Sequence, residues 1–147
     1  MPLPDAVARL LAAPPEVGDP AQAFPFLTVD EAGYPHVALL SARELAVAGD
    51  GALLVVLMGM TTSANLQRTG AATLVAVEGT TAHSMKLRRR TSVDEGDLLG
   101  FVLDPVDHKA DSLGIALAPI SYVASEELAR LERWDRTAEL LARLAGA

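Results

Sequence analysis

Four short polar turns punctuate the middle of this chain: Asp30 to Gly33, Ala48 to Gly51, Glu78 to Thr81 and Asp94 to Asp97. Each contains glycine, and each separates runs with strand character. Strands joined this closely run antiparallel, because a parallel neighbour needs a crossover of a dozen residues or more. The turns, with two longer connections after Leu57 and Leu103, divide the chain into Phe24 to Val29, Tyr34 to Val47, Leu53 to Leu57, Ala72 to Val77, Ala82 to Val93, Leu98 to Leu103 and Leu113 to Val123. Asp104 to Ser112 reads as a polar loop, and Pro119 interrupts the last strand. Helical patterns lie at the ends. Asp5 to Ala13 is amphipathic, with Val7, Leu10 and Leu11 on one face, and stops at Pro14 and Pro15. Ser125 opens a C-terminal helix, Glu126 to Leu144, with an apolar stripe of Leu128, Leu131, Trp134, Leu140, Leu141 and Leu144. Strands in series with peripheral helices give an α+β class, a barrel or sandwich rather than an alternating doubly wound sheet.

One connection has the pattern of a helix. Leu53 to Leu57 is unbroken Leu and Val, which suits a strand buried on both faces. Gly59 then permits a bend, and Thr61, Thr62 and Ser63 supply three hydroxyls in a row. Thr62 or Ser63 suits the N-cap of a short helix through Asn65 and Arg68, ended by Gly70. A helix N-terminus carries unpaired N–H groups and the positive end of the helix dipole. Hydroxyls beside it offer an anion site, whereas the simpler reading is a cap that binds nothing.

Composition narrows the function classes. A chain of 147 residues, half of them hydrophobic, has the size and apolar content of one domain. Cysteine is absent, so disulfides, thiolate metal sites and cysteine nucleophiles are excluded. The N-terminus lacks a basic region followed by an apolar core, and no apolar run has membrane-spanning length. The expectation is a soluble, cytoplasmic protein with no membrane partner. A net charge of −7 argues against a nucleic-acid partner. Lys86, Arg88, Arg89 and Arg90 are nonetheless clustered, as either a solvated strand face or a counter-charge for a small anion. Alternation over Ala82 to Val93 puts His83, Met85, Leu87 and Arg89 on one face and Lys86, Arg88 and Arg90 on the other. His36, His83 and His108 show no metal-ligand spacing, and no triad or carboxylate pair stands out.

Two stretches carry a family resemblance. The hairpin with Thr28, Asp30, Gly33, Pro35, His36 and Val37, and the later turn with Thr61, Thr62, Ser63, Asn65, Leu66 and Arg68, resemble the pyridoxamine-5′-phosphate-oxidase-like, FMN-binding split barrels. The resemblance covers about Phe24 to Glu78 in motif and the remainder in element order. It implies one domain over residues 1–147, with a six-stranded antiparallel split barrel over about 24–123, peripheral helices and a C-terminal helix. It further implies a homodimer with FMN in a groove at the interface, and a small-molecule substrate or electron donor. By the same resemblance, the phosphate site falls on Thr61, Thr62 and Ser63 with Asn65 nearby, and Val37, Leu39, Leu40 and Ser41 lie along the flavin ring. Lys86 is the expected charge partner, and His83 faces the flavin or, in a haem-binding relative, the iron. The flavin would carry the redox chemistry, so no catalytic side chain is expected. The chain lacks the additional basic and aromatic residues and the C-terminal segment of pyridoxamine phosphate oxidases themselves. The resemblance is thus to the broader branch, whose members bind FMN, a deazaflavin or haem. The readings it leaves are an FMN-dependent oxidoreductase and a non-catalytic protein that sequesters or senses a flavin or haem.

Overall fold

A computed structural model describes residues 1–146; Ala147, the last residue of the expected domain, lies outside the described residues. In chain order the elements are α1 (Asp5–Leu11), β1 (Pro20–Gln22), β2 (Phe24–Val29), β3 (Pro35–Leu40), β4 (Leu45–Val47), β5 (Leu53–Leu57), α2 (Met60–Thr69), β6 (Ala71–Glu78), β7 (Thr81–Asp94), β8 (Leu99–Ser112), β9 (Ser121–Val123), α3 (Glu126–Leu131) and α4 (Trp134–Gly146). Seven strands form one antiparallel sheet in the order β3-β2-β6-β7-β8-β5-β4, while β1 and β9 pair separately. The strand count thus exceeds the six expected.

The order of this sheet dictates its shape. Its two edge strands, β3 and β4, are consecutive in sequence and joined only by Ser41 to Glu44. Seven flat strands about 4.8 Å apart would hold those edges about 29 Å from each other. The link reaches at most about 18 Å when fully extended. The sheet must therefore curl into a half-barrel. The expected single strand from Tyr34 to Val47 is broken for the same reason, since its two halves serve opposite edges.

Three further expectations are corrected. Of the expected strand from Leu113 to Val123 only Ser121–Val123 is strand, beyond Pro119, and it pairs with β1 outside the seven-stranded sheet. The polar stretch Asp104 to Ser112 is the outer half of β8, paired with β7 through a register shift that accommodates Pro105. Its polarity reflects a strand end that projects into solvent, not a loop. The C-terminal helix is interrupted: α3 ends at Leu131, and Arg133 adopts a left-handed backbone (φ 49°) before α4 begins. Ser125 caps α3 as expected, its hydroxyl accepting from Leu128 N–H at 3.1 Å.

The core has two layers. Inside the half-barrel, Phe24, Phe26, Leu74, Met85, Phe101 and Leu103 pack together, closed by Val7 and Leu11 of α1 and Leu66 of α2. Outside β5 and β8, Leu54, Val56 and Val102 meet Leu140, Leu141 and Leu144 of α4. All five residues of β5 are buried because its alternate side chains belong to these two layers.

Candidate functional site

The segment after β5 forms a helix, but starts earlier than the hydroxyls suggest. Gly59 is the N-cap, in extended conformation, and no side chain caps the helix. The Gly59 carbonyl accepts from Ser63 N–H at 3.2 Å. Thr61, Thr62 and Ser63 thus lie within the first turn, so neither Thr62 nor Ser63 is the cap. Helical geometry turns Thr62 and Ser63 inward, where α2 packs on β2 and β3; they are 4% and 2% exposed. Among the described residues Ser63 Oγ has no hydrogen-bond partner. Thr61 is exposed and opens, with Met60, Ala64, Asn65 and Arg68, onto a cleft of about 510 Å³ whose far wall is the Asp30–Ala32 turn.

Asn65 and Arg68 brace this cleft. Asn65 Nδ2 donates to Thr28 Oγ1 (3.1 Å), and Asn65 Oδ1 accepts from Arg68 Nη1 (3.2 Å). Arg68 Nη2 also donates to the Val29 carbonyl. Thr28 and Asn65 are both buried, so their bond is sheltered from water. The two stretches that carried the resemblance therefore meet directly in space.

The β3 residues divide between two environments. Val37 and Leu39 point outward, 54% and 52% exposed, as an apolar strand face. Leu40 and Ser41 are buried. Leu39, Leu40 and Ser41 line a second cleft, of about 350 Å³, completed by Ala23, Tyr122, Val123, Ser125, Leu128 and Glu132.

A polar cluster that the sequence did not reveal lies around Ser41. Ser41 N–H donates to Glu44 Oε1 (3.0 Å), and Ser41 Oγ accepts from Arg43 N–H (3.1 Å). Burial pushes the Glu44 carboxyl up to about 7, and the nearby Glu132 charge adds to this, while the bonds from Ser41 oppose it. Burial likewise raises Glu132, against bonds from Trp134 and Ser41. It also raises the Tyr122 phenol, although Ser41 counters the effect. Trp134 Nε1 donates to Glu132 Oε1 at 3.1 Å, and the Arg43 guanidinium stacks 4.4 Å over the Trp134 ring. Arg43 donates to the Pro15 carbonyl (2.8 Å) and pairs with Glu16 (3.3 Å). The only local signal was Glu44 three residues after Ser41. Tyr122, Glu132 and Trp134 arrive from some eighty or more positions away.

His83 lies on the inward face of β7, as alternation predicts, 7% exposed. Its Nδ1 is 2.9 Å from His108 Nε2, and the rings stack with centroids 5.2 Å apart. Burial, together with the neighbouring His108, lowers the His83 pKa. The basic run is largely absorbed by the fold. Lys86 is exposed and 3.9 Å from Asp107, in a third cleft beside Thr73, Arg88 and Val106 that shares no residue with the Thr61 cleft. Arg89 donates to the Gln67 carbonyl at the end of α2 (2.7 Å), and Arg90 bridges Asp50 (2.9 Å) and Asp104. One chain therefore does not bring Lys86, His83 and Thr61 into a single site.

No known family pattern matches the chain, and no curated protein matches it in sequence. Solved structures do match in shape. An F420 reductase has a TM-score of 0.56 at 14% identity, over 73% of this chain and 98% of that one. The styrene monooxygenase flavin reductase SMOB of Pseudomonas putida S12 has a TM-score of 0.55 at 10% identity, over 74% and 89%. HutZ, the haem storage protein of Vibrio cholerae, has 0.52 at 12% identity, over 79% and 98%. Such low identities speak to fold alone. Among the described residues no helix is long and apolar enough to cross a membrane. The chain is thus an α+β protein with a curled antiparallel half-barrel, sharing its split-barrel fold with flavin reductases, an F420 reductase and a haem storage protein.

Proposed function

We propose that this protein is a flavin-dependent oxidoreductase that binds FMN at a homodimer interface, with the phosphate at the first turn of α2. The observation that carries the reading is the open, uncapped N-terminus of α2, with the Thr61 hydroxyl exposed on a cleft and Arg68 braced on the same wall. The donor set fits a phosphate: early helix N–H groups, one hydroxyl and one guanidinium. Asn65 acts as the brace that fixes Arg68 and ties α2 to β2. Thr62 and Ser63 contribute backbone, since their side chains face the interior. The outward Val37 and Leu39 offer an apolar strand for one face of a flavin ring, and a second copy would cover what remains exposed. Bound there, the flavin would supply hydride acceptance and electron transfer to a small acceptor.

A deazaflavin fits the same donor set, since its tail also carries a phosphate. The haem alternative, as a sequestering or sensing protein, has its support in the fold shared with HutZ and in the buried His83. It requires His83 to exchange its contact with His108 for iron. The direct test is Thr61→Val, which keeps the shape and removes the hydroxyl. FMN affinity, followed by flavin fluorescence, is expected to fall about tenfold or more, as for loss of a hydrogen bond to a charged group. Unchanged affinity would remove this turn from the site.

A further inference from the structure

The cleft between the end of β3, β9 and α3 shares Leu39 with the flavin reading and otherwise combines features that reading does not use. Its walls are apolar: Leu39, Leu40, Val123 and Leu128. Its polar side chains are Ser41, Tyr122, Glu132 and Ser125; Ser125 is engaged in capping α3, and Ser41 lies beside Tyr122 and Glu132. The Tyr122 hydroxyl is buried without a hydrogen-bond partner. A buried hydroxyl left unpaired costs on the order of 1–3 kcal/mol, so it is a group that a ligand can satisfy.

Charge identifies the ligand. Glu132 lies near Glu44, and among the described residues neither carboxylate has a Lys, Arg or His within ion-pair distance. Arg43, the neighbouring cation, is held by Pro15, Glu16 and the Trp134 ring. Two partly buried carboxyls with no cation of their own favour a positive guest. Glu132 Oε1 accepts from Trp134, and Ser41 stands beside the same carboxyl, so a guest would share the carboxyl with the Ser41 hydroxyl. The Glu132 carboxyl, Tyr122 Oη and Ser41 Oγ then supply oxygens for one head group, and a primary ammonium has three N–H donors. The cleft volume, about 350 Å³, lies at the small end of the range for small-molecule sites.

We propose that this cleft binds a small organic cation, an apolar body carrying a primary ammonium group, with the ammonium between Glu132, Tyr122 and Ser41 and the body against Leu39, Leu40 and Leu128. The site shares only Leu39 with the proposed flavin groove, and its head-group residues Ser41, Tyr122 and Glu132 lie outside the α2 turn that would hold the phosphate. Binding strengthens as Glu44 ionises around pH 7, and burial shifts Glu132 upward in the same direction; Glu132 and Tyr122 line the cleft, and the charges of Glu44 and Arg43 act on Tyr122 from beside it.

The test uses the full chain and three probes of similar size: 2-phenylethylamine, 2-phenylethanol and phenylacetate. Trp134 is the only tryptophan and touches Glu132, so its fluorescence reports occupancy, with calorimetry as the second measure. The amine is expected to saturate and to bind about tenfold or more tightly than the alcohol, with no binding of the carboxylate. Glu132→Gln should erase the preference for the amine, and Tyr122→Phe should weaken amine binding while circular dichroism stays unchanged. Equal binding of amine and alcohol, absence of amine binding, or amine affinity indifferent to both variants would overturn the proposal. Unchanged FMN affinity in the Thr61→Val test, which would remove the flavin site from α2, would leave it standing.

Discussion

The bond from Asn65 to Thr28 shows why residues 37 positions apart belong to one pattern. Read along the sequence, Thr28 is a strand residue and Asn65 a helix residue, and neither advertises the other. In the fold they are a buried donor and acceptor, and Arg68 completes the bracket on the Val29 carbonyl. The sequence showed the chemical types and the resemblance showed that they go together, but only the packing of α2 on β2 shows that they touch. Thr62 and Ser63 teach the converse. Their hydroxyls suggested ligands, but a start at Gly59 turns both inward, because position in a helical turn is decided by the start residue. Glu44 carries the pH prediction at this scale. Its folded pKa is raised from 4.5 to about 7, so the unfolded chain releases this proton first as pH rises. Stability therefore declines from about pH 4.5 to pH 7 and stays reduced above that. Glu44→Gln retains an acceptor for Ser41 N–H and removes the charge. In urea titrations the variant should match the parent near pH 4.5 and exceed it at pH 8 by up to about 3 kcal/mol, since each pH unit between the two values is worth about 1.4 kcal/mol. Equal stability at pH 8 would show that Glu44 ionises freely.

Among the elements, the strands were the most legible and their interruptions the least. Alternation placed His83, Met85 and Leu87 on the inward face of β7, and the apolar run of β5 marked burial on both sides; both assignments hold. The break between α3 and α4 was invisible because no Gly or Pro lies between Glu126 and Leu144. A left-handed Arg133, an uncommon conformation for a side-chain-bearing residue, makes it instead. Thr137 Oγ1 donates to the Glu132 carbonyl across the break (3.0 Å), and Arg133 pairs with Asp97. The result is that Glu132 and Trp134 reach the Ser41 cluster, which a continuous helix would not have placed there by its sequence alone. The β4–β5 turn offers a sharper test of element docking. Gly51 has φ 87°, and a Cβ there would stand 2.3 Å from Pro2 Cβ and 2.7 Å from Pro2 Cα. Leu3 N–H donates to the Gly51 carbonyl at 2.9 Å, so the N-terminal segment crosses this glycine in contact. Gly51→Ala should cost about 1–3 kcal/mol, from the left-handed backbone and the clash together. Hydrogen exchange should quicken at Leu3 and through α1, while the amides of β6 and β7 keep their protection. Unchanged protection at Leu3 would contradict this account of the N-terminus.

At the level of the whole molecule, a four-residue link between the two sheet edges forces the curl, and the curl turns β3 into an outer strand with an apolar face. Val37 and Leu39, with Val29 at 45% exposed, present that face to solvent in one chain. A surface of this kind is expected to be covered by a second copy, and light scattering should give twice the chain mass of 15.4 kDa. A monomer would remove the interface on which the proposed flavin groove depends. Curvature could not be read from the sequence, because it follows from which strands are edges, and strand order is a long-range property. The most direct measurement is the visible absorption spectrum of the protein after incubation with FMN and removal of free flavin. A retained flavin band at about one per chain, lost on Thr61→Val, is the predicted result. A protein that leaves the column without chromophore, or one that retains a Soret band from haem in place of flavin, would contradict it.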